Sequence, residues 1–111
     1  MAITVKNIIP RKHAENAQTT QYTAANAKAV IDKFTATNTT GAAVTISVNL
    51  VPSGGAAATS NLVVQNKAIA AGETYTFPEL VGQILENGGF ISTLAGAATA
   101  LVISASGREI T

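Results

Sequence analysis

Few residues in this sequence are of types that do chemistry, and none stands at catalytic spacing. The single histidine, His13, follows Arg11 and Lys12 in a segment that offers no rigid element to orient it as a base. One histidine and no cysteine exclude the common zinc and copper patterns. The acids are Glu15, Asp32, Glu73, Glu79, Glu86 and Glu109. Glycoside hydrolysis needs two carboxylates about 5 to 10 Å apart across a cleft. Glu79 and Glu86 could share a face beside a short helical pattern, but that spacing is commonplace and two solvated side chains explain it. No Asp-rich loop of the calcium-binding kind exists. Gly54-Gly55 and Gly88-Gly89 lack phosphate-loop spacing and precede no long helix, so they read as turns. The expectation is a protein that is not an enzyme, with no cofactor, no metal and no small-molecule substrate.

Three features remain. Arg11-Lys12-His13 is the only basic cluster, and it fits a solvated or salt-bridged segment, an acidic patch on a neighbour, or nucleic acid. Nucleic acid is disfavoured because no aromatic stacking platform is interleaved with the cluster. Asn38-Thr39-Thr40 matches a glycosylation sequon, and it is set aside because Met1 to Lys6 lacks the charged and apolar regions of a secretory signal. Asp32 interrupts an otherwise apolar alternation of Val30, Phe34 and Ala36. Either that face is inner and Asp32 needs a buried partner, or the face of Ile31 is inner and Asp32 meets water.

The elements that would position these residues are strands. Val44, Ile46, Val48 and Leu50 alternate with Thr45, Ser47 and Asn49, the clearest half-buried strand in the chain. Strands are also expected at residues 21–25, 29–37, 62–69, 74–77, 90–95 and 100–105, with an extension over Arg108 to Ile110. Residues 90–95 and 100–105 are expected to pair with each other. Leu80, Val81, Ile84 and Leu85 follow a helical period, Pro78 suits a first turn and Gly88 an end, which predicts one or two helical turns. Turn chemistry recurs about every 8 to 12 residues, as in a sandwich or barrel. The long helices that a parallel α/β sheet requires are absent.

Residues 1–20 read differently. Ile3 and Val5 suit a short strand, Pro10 ends pairing or marks an edge, and residues 14–20 are small and polar. This segment is expected to be an extended N-terminal arm, with residues 21–111 as the domain. Removal of the arm should then leave the domain folded.

Composition supports a contact role. Only 12% of residues are charged, net charge is +1, and 47% are hydrophobic, much of that alanine. Ordinary soluble domains are roughly 25% charged. A surface so weakly self-repelling favours association. Net charge gives no general pull toward nucleic acid, and no apolar run approaches the roughly 20 residues of a membrane helix.

Ordered blocks of residues carry a family resemblance. They are Ala36-Thr37-Asn38-Thr39-Thr40-Gly41 with Val44-Thr45-Ile46-Ser47-Val48 and Val51-Pro52-Ser53-Gly54-Gly55; Asn61-Leu62-Val63-Val64 with Ile69-Ala70-Ala71-Gly72-Glu73-Thr74; Pro78 through Glu86; and Ser106-Gly107-Arg108-Glu109-Ile110-Thr111. Over residues 21–111 they resemble the small β-sandwich structural proteins of tailed bacteriophages. The resemblance does not extend to residues 1–20. It implies a virion component made in the host cytoplasm, in the leading reading a capsid decoration (cement) protein on the outer capsid surface. A neck or tail adaptor, or a fibre-attachment component, is the alternative within that class. A carbohydrate- or receptor-binding module using Tyr22, Phe34, Tyr75, Phe77 or Phe90 is the alternative outside it.

The expected fold is therefore an all-β, antiparallel, jelly-roll-like sandwich of about seven to eight strands, with one short helical turn and the arm. Expected partners are the major capsid protein or another virion protein, and further copies of the chain as a dimer or trimer. The expected contact residues are Ile8, Ile9, Arg11, Lys12 and His13.

Overall fold

A computed structural model describes residues 2–111. The described residues form nine strands: β1 (Ile3–His13), β2 (Thr19–Thr23), β3 (Lys28–Asn38), β4 (Val44–Val51), β5 (Leu62–Ile69), β6 (Thr74–Thr76), β7 (Ile84–Leu85), β8 (Phe90–Ala95) and β9 (Leu101–Ile110). One sheet has the order β1-β9-β3-β6, with the two-residue β7 also on β3. The other has the order β2-β8-β4-β5. All pairings are antiparallel. β1 to β4 alternate between the two sheets, as do β7, β8 and β9, and the two four-strand orders are those of a jelly roll. The fold is an all-β sandwich of this kind.

This winding corrects the expected pairing of residues 90–95 with 100–105. β8 lies between β2 and β4, whereas β9 lies between β1 and β3 in the opposite sheet. The Gly96–Ala100 connection crosses between sheets, with Thr99 at φ 50°.

The core lies between the sheets. Phe34, Ile31, Ile103, Leu101 and Ile9 enter from the first sheet, and Ile46, Val48, Ile69 and Ile91 from the second. Phe77 sits edge-on to Phe34 with centroids 5.0 Å apart, and Tyr75 edge-on to Phe77 at 4.8 Å. Such pairs add roughly 0.5 to 1.5 kcal/mol beyond area burial.

The expected arm is instead an integral edge strand through residue 13. β1 pairs with β9 from Ile3↔Ile110 to His13↔Val102, and Ile8 and Ile9 are buried. Two register shifts flank Ile9, so the strand loses its period-2 pattern and buries two consecutive isoleucines. The missing alternation made the segment read as irregular. Pro10 is tolerated because β1 has a neighbour on one side only. Residues 14–18 are also docked: the Ala14 amide donates to Leu101 O at 2.8 Å, and the Ala95 amide to Glu15 O at 3.0 Å.

The expected helical turn at Pro78–Leu85 is absent. Turns follow Phe77, with the Leu80 amide donating to Phe77 O at 3.2 Å, and β7 begins at Ile84. Leu80 and Leu85 are buried while Val81 and Ile84 are exposed, so the four apolar side chains split between core and surface. The only helical turn among the described residues is a 3-10 turn at Thr59–Asn61.

A bulge settles the orientation of Asp32. In β3, Ile31 faces Gly107 and Lys33 faces Ser106, leaving Asp32 as the extra residue. Ile31 and Phe34 therefore both point inward, and Asp32 points outward to Arg108 through two hydrogen bonds of 3.1 and 3.0 Å. Opposite the bulge the backbones come so close that a Cβ on Gly107 would lie 2.1 Å from Val30 O. Gly107→Ala is expected to cost about 2 to 3 kcal/mol, the upper part of the roughly 1 to 3 kcal/mol range for forced overpacking, because the obstructing atom is backbone. Urea unfolding checks this through a lower midpoint at unchanged slope.

Candidate functional site: the outer face of the β1-β9-β3 sheet

Directly opposed residues in a sheet share a face, so the register maps the outer face of the first sheet. At one end Ile3 opposes Ile110, and Val5, Arg108, Val30 and Ile84 form a row across β1, β9, β3 and β7. Ile3 is 57% exposed, Val5 77% and Ile84 56%, while Val30 and Ile110 are half-buried. The result is an aliphatic patch on four adjacent strands, with the Arg108–Asp32 ion pair embedded in it. That pair neutralises itself, so the patch presents little charge.

The same face continues as a polar depression of about 260 Å³, lined by Asn7 and Arg11 of β1, Ser104 and Ser106 of β9, and Lys33 and Thr35 of β3. Ser104 opposes Thr35 and Ser106 opposes Lys33. Short hydroxyl side chains from the middle strand form the floor, and the two long cations rise from the flanking strands.

The expected contact cluster is divided by this geometry. Ile8 and Ile9 are 3% and 1% exposed, so they pack the core and are not contact residues. Arg11 lines the outer depression. Lys12 instead bridges Glu15 at 3.0 Å. His13 is exposed at the end of β1. Lys33 was missed because alternation in β3 places it with Ile31. Only the bulge at Asp32 moves it to the outer face, and a bulge leaves no signal in a single sequence.

The other chemistry-bearing residues are engaged elsewhere. Tyr75 hydrogen-bonds Glu79 at 3.0 Å, while Glu86 bridges Lys28 at 3.4 Å, so the two carboxylates serve different partners. Among the described residues, no group of three His, Cys, Asp or Glu side chains is placed to hold a metal ion. Asn38 is 1% exposed: its side-chain amide donates to Ala42 O and Ile69 O at 2.8 and 2.9 Å, and its Oδ1 accepts from the Thr40 amide at 2.9 Å. The sequon thus locks a turn and is closed to a glycosyl group. Lys67 lies 4.5 Å above the Tyr75 ring, and Phe34 and Phe77 are fully buried, which leaves few open rings for a sugar.

A second depression, about 280 Å³, lies over the other sheet between Gln18, Asn49, Asn66 and Leu94. Its amides bind one another and the backbone. Gln18 donates to Ser92 Oγ at 2.7 Å, Asn49 donates to Ala58 O and Asn61 Oδ1 at 2.9 and 2.7 Å, and Ser47 pairs with the Asn66 amide at 2.9 Å. They close a loop over β4 and present little free hydrogen-bonding capacity.

At the end of the sandwich, Tyr22 donates to Glu109 from the facing sheet, and Lys6 stands 3.5 Å from the same carboxylate. Burial, and then the Glu109 carboxylate, push the Tyr22 phenol above its ordinary value. The Tyr75 phenol moves the same way beside Glu79. A raised folded value stabilises the protein below the unfolded pKa of about 10 and loses that contribution as pH rises beyond it. Thermal melting is therefore expected to hold steady at neutral pH and to fall above about pH 10. Tyr22→Phe should make that fall shallower.

Comparison with family models, with curated protein sequences and with solved structures finds no match. Among the described residues, no helix is long and apolar enough to cross a membrane.

Proposed function

We propose that this chain is a structural protein of a bacteriophage virion, in first place a capsid decoration protein that clips neighbouring capsid subunits from the outer surface. The observation that carries the reading is the outer face of the first sheet: an aliphatic patch, including Val5 at 77% exposure, continuous with an uncompensated basic depression. Single exposed apolar residues are ordinary, but a contiguous patch across four strands marks a contact site.

Size supports the same reading. Three long strands at about 4.8 Å spacing and about eleven residues at about 3.4 Å give roughly 540 Å², to which the short β6 and β7 add at one side, approaching the roughly 800 Å² that one partner contributes to a standard interface. The low charge content and the phage-like order of motifs in residues 21–111 agree with it. The partner in this account is a capsid subunit, and the mechanism is mechanical: copies bridge subunits and resist internal pressure.

Quantitative mass spectrometry of virions of the phage encoding the chain tests the proposal. Hundreds of copies per particle are expected, a dozen or fewer would assign it to the neck or tail, and none would overturn the reading. Val5→Glu with Ile84→Glu should leave the fold intact, since both side chains are exposed, and should abolish loading onto particles. Melting temperature and particle co-sedimentation read the two halves of that prediction.

A further inference from the structure

Charge pairing across the molecule singles out one site. Lys6, Lys12, Lys28 and Arg108 each face a carboxylate within 4 Å, and Lys67 lies over the Tyr75 ring. Among the described residues, Arg11 and Lys33 alone of the seven cations have neither kind of partner, and both line the same depression. Two strands separated by one between them stand about 9.6 Å apart, so the two cations flank the hydroxyl floor rather than crowd one point. No acidic side chain lines the depression.

We propose that this depression is a carboxylate-recognition site that takes the acidic side chains of an extended segment of a partner protein. Arg11 supplies a planar fork suited to bidentate carboxylate binding, and Lys33 supplies a compact second cation. Ser104 and Ser106 donate to the remaining carboxylate lone pairs, and Asn7 and Thr35 close the ends. The spacing suits two carboxylates on one extended chain better than a single ion. Nucleic acid fits poorly, since no aromatic ring lines the site to stack a base. The proposal rests on the reading that this face docks a partner, and it adds the chemistry by which that partner is chosen: apolar contact at one end and acidic contact at the other.

The test is a titration of the isotope-labelled full chain at low ionic strength with a hexaglutamate peptide, followed by amide chemical shifts. Expected shifts cluster at residues 7, 11, 33, 35, 104 and 106, and hexaglutamine produces none there. Arg11→Ala with Lys33→Ala should weaken binding at least tenfold with unchanged melting temperature. Lys67→Ala, on the other sheet, should leave binding as it was. Equal response to hexaglutamine, undiminished binding by the double variant, or tighter binding of inorganic sulfate or oligothymidylate overturns the assignment. The two proposals fail separately. Peptide binding that persists in a protein absent from virions overturns only the phage reading. A virion protein whose depression ignores the acidic peptide overturns only this one.

Discussion

Deleting residues 1–13 is expected to unfold the domain. Truncating a buried isoleucine costs about 2 to 5 kcal/mol, and Ile8 and Ile9 leave together. Their loss alone approaches the 5 to 15 kcal/mol that typically holds a domain folded. The deletion also strips β9 of one neighbour and exposes Leu101, Ile103 and Ala105, now buried, along an open edge. Far-UV circular dichroism and size exclusion of the truncated chain should show lost cooperativity and aggregation. A free arm predicts the opposite, an unchanged melting curve, so the experiment separates strand from arm directly. Ile3→Ala, at an exposed position of the same strand, should change stability by less than about 0.5 kcal/mol.

Phe34→Ala carries the second large effect, about 4 kcal/mol within the 3 to 5 range for buried aromatics. Phe34 is fully buried and is the inner end of the stacked series Phe34, Phe77 and Tyr75. Its carbonyl also accepts the Phe77 amide at 3.0 Å, tying the turn after β6 to β3. Removing the ring leaves Phe77 without its edge contact, in a core whose other fully buried large side chains are aliphatic. Urea denaturation should show a lower midpoint. Tyr75→Ala, which removes only the outer, half-buried member, should cost markedly less.

Much of the sandwich is legible in the sequence where alternation is unbroken. β5 at Leu62–Ile69 and β8 at Phe90–Ala95 fall on the expected residues, and β4 extends its expected range by one. Legibility fails where a bulge shifts parity. β1 has two register shifts and β3 has one. Each puts consecutive or three-apart residues on the inner face, which a period-2 reading rejects. That single cause hid the strand character of residues 6–13, left the orientation of Asp32 open and concealed Lys33. Sheet assignment was equally hidden. The tight spacing of β8 and β9 suits a hairpin, and only packing of two sheets sends the chain across instead. At the outer face, Arg11 was visible as part of a basic triplet. Its true companions, Lys33, Ser104 and Ser106, come from strands far away in sequence.

Buried polar residues mark another limit. Thr45, Ser47 and Asn49 read as the solvent side of β4, yet Ser47 and Asn49 are 7% and 3% exposed. The loop at residues 56–61 folds over them and satisfies Asn49 through Ala58 O and Asn61. A loop that covers a sheet face is a tertiary event, and strand periodicity contains no trace of it.

In the proposed function this domain lies on a larger particle through the outer face of its β1-β9-β3 sheet. Cryo-microscopy of virions with and without the chain measures that most directly. The account predicts added density over the capsomers, into which the sandwich fits with Ile3, Val5 and Ile84 against the capsid subunit, together with lower heat stability when the chain is missing. Identical outer density and identical heat stability in the two particles would contradict it.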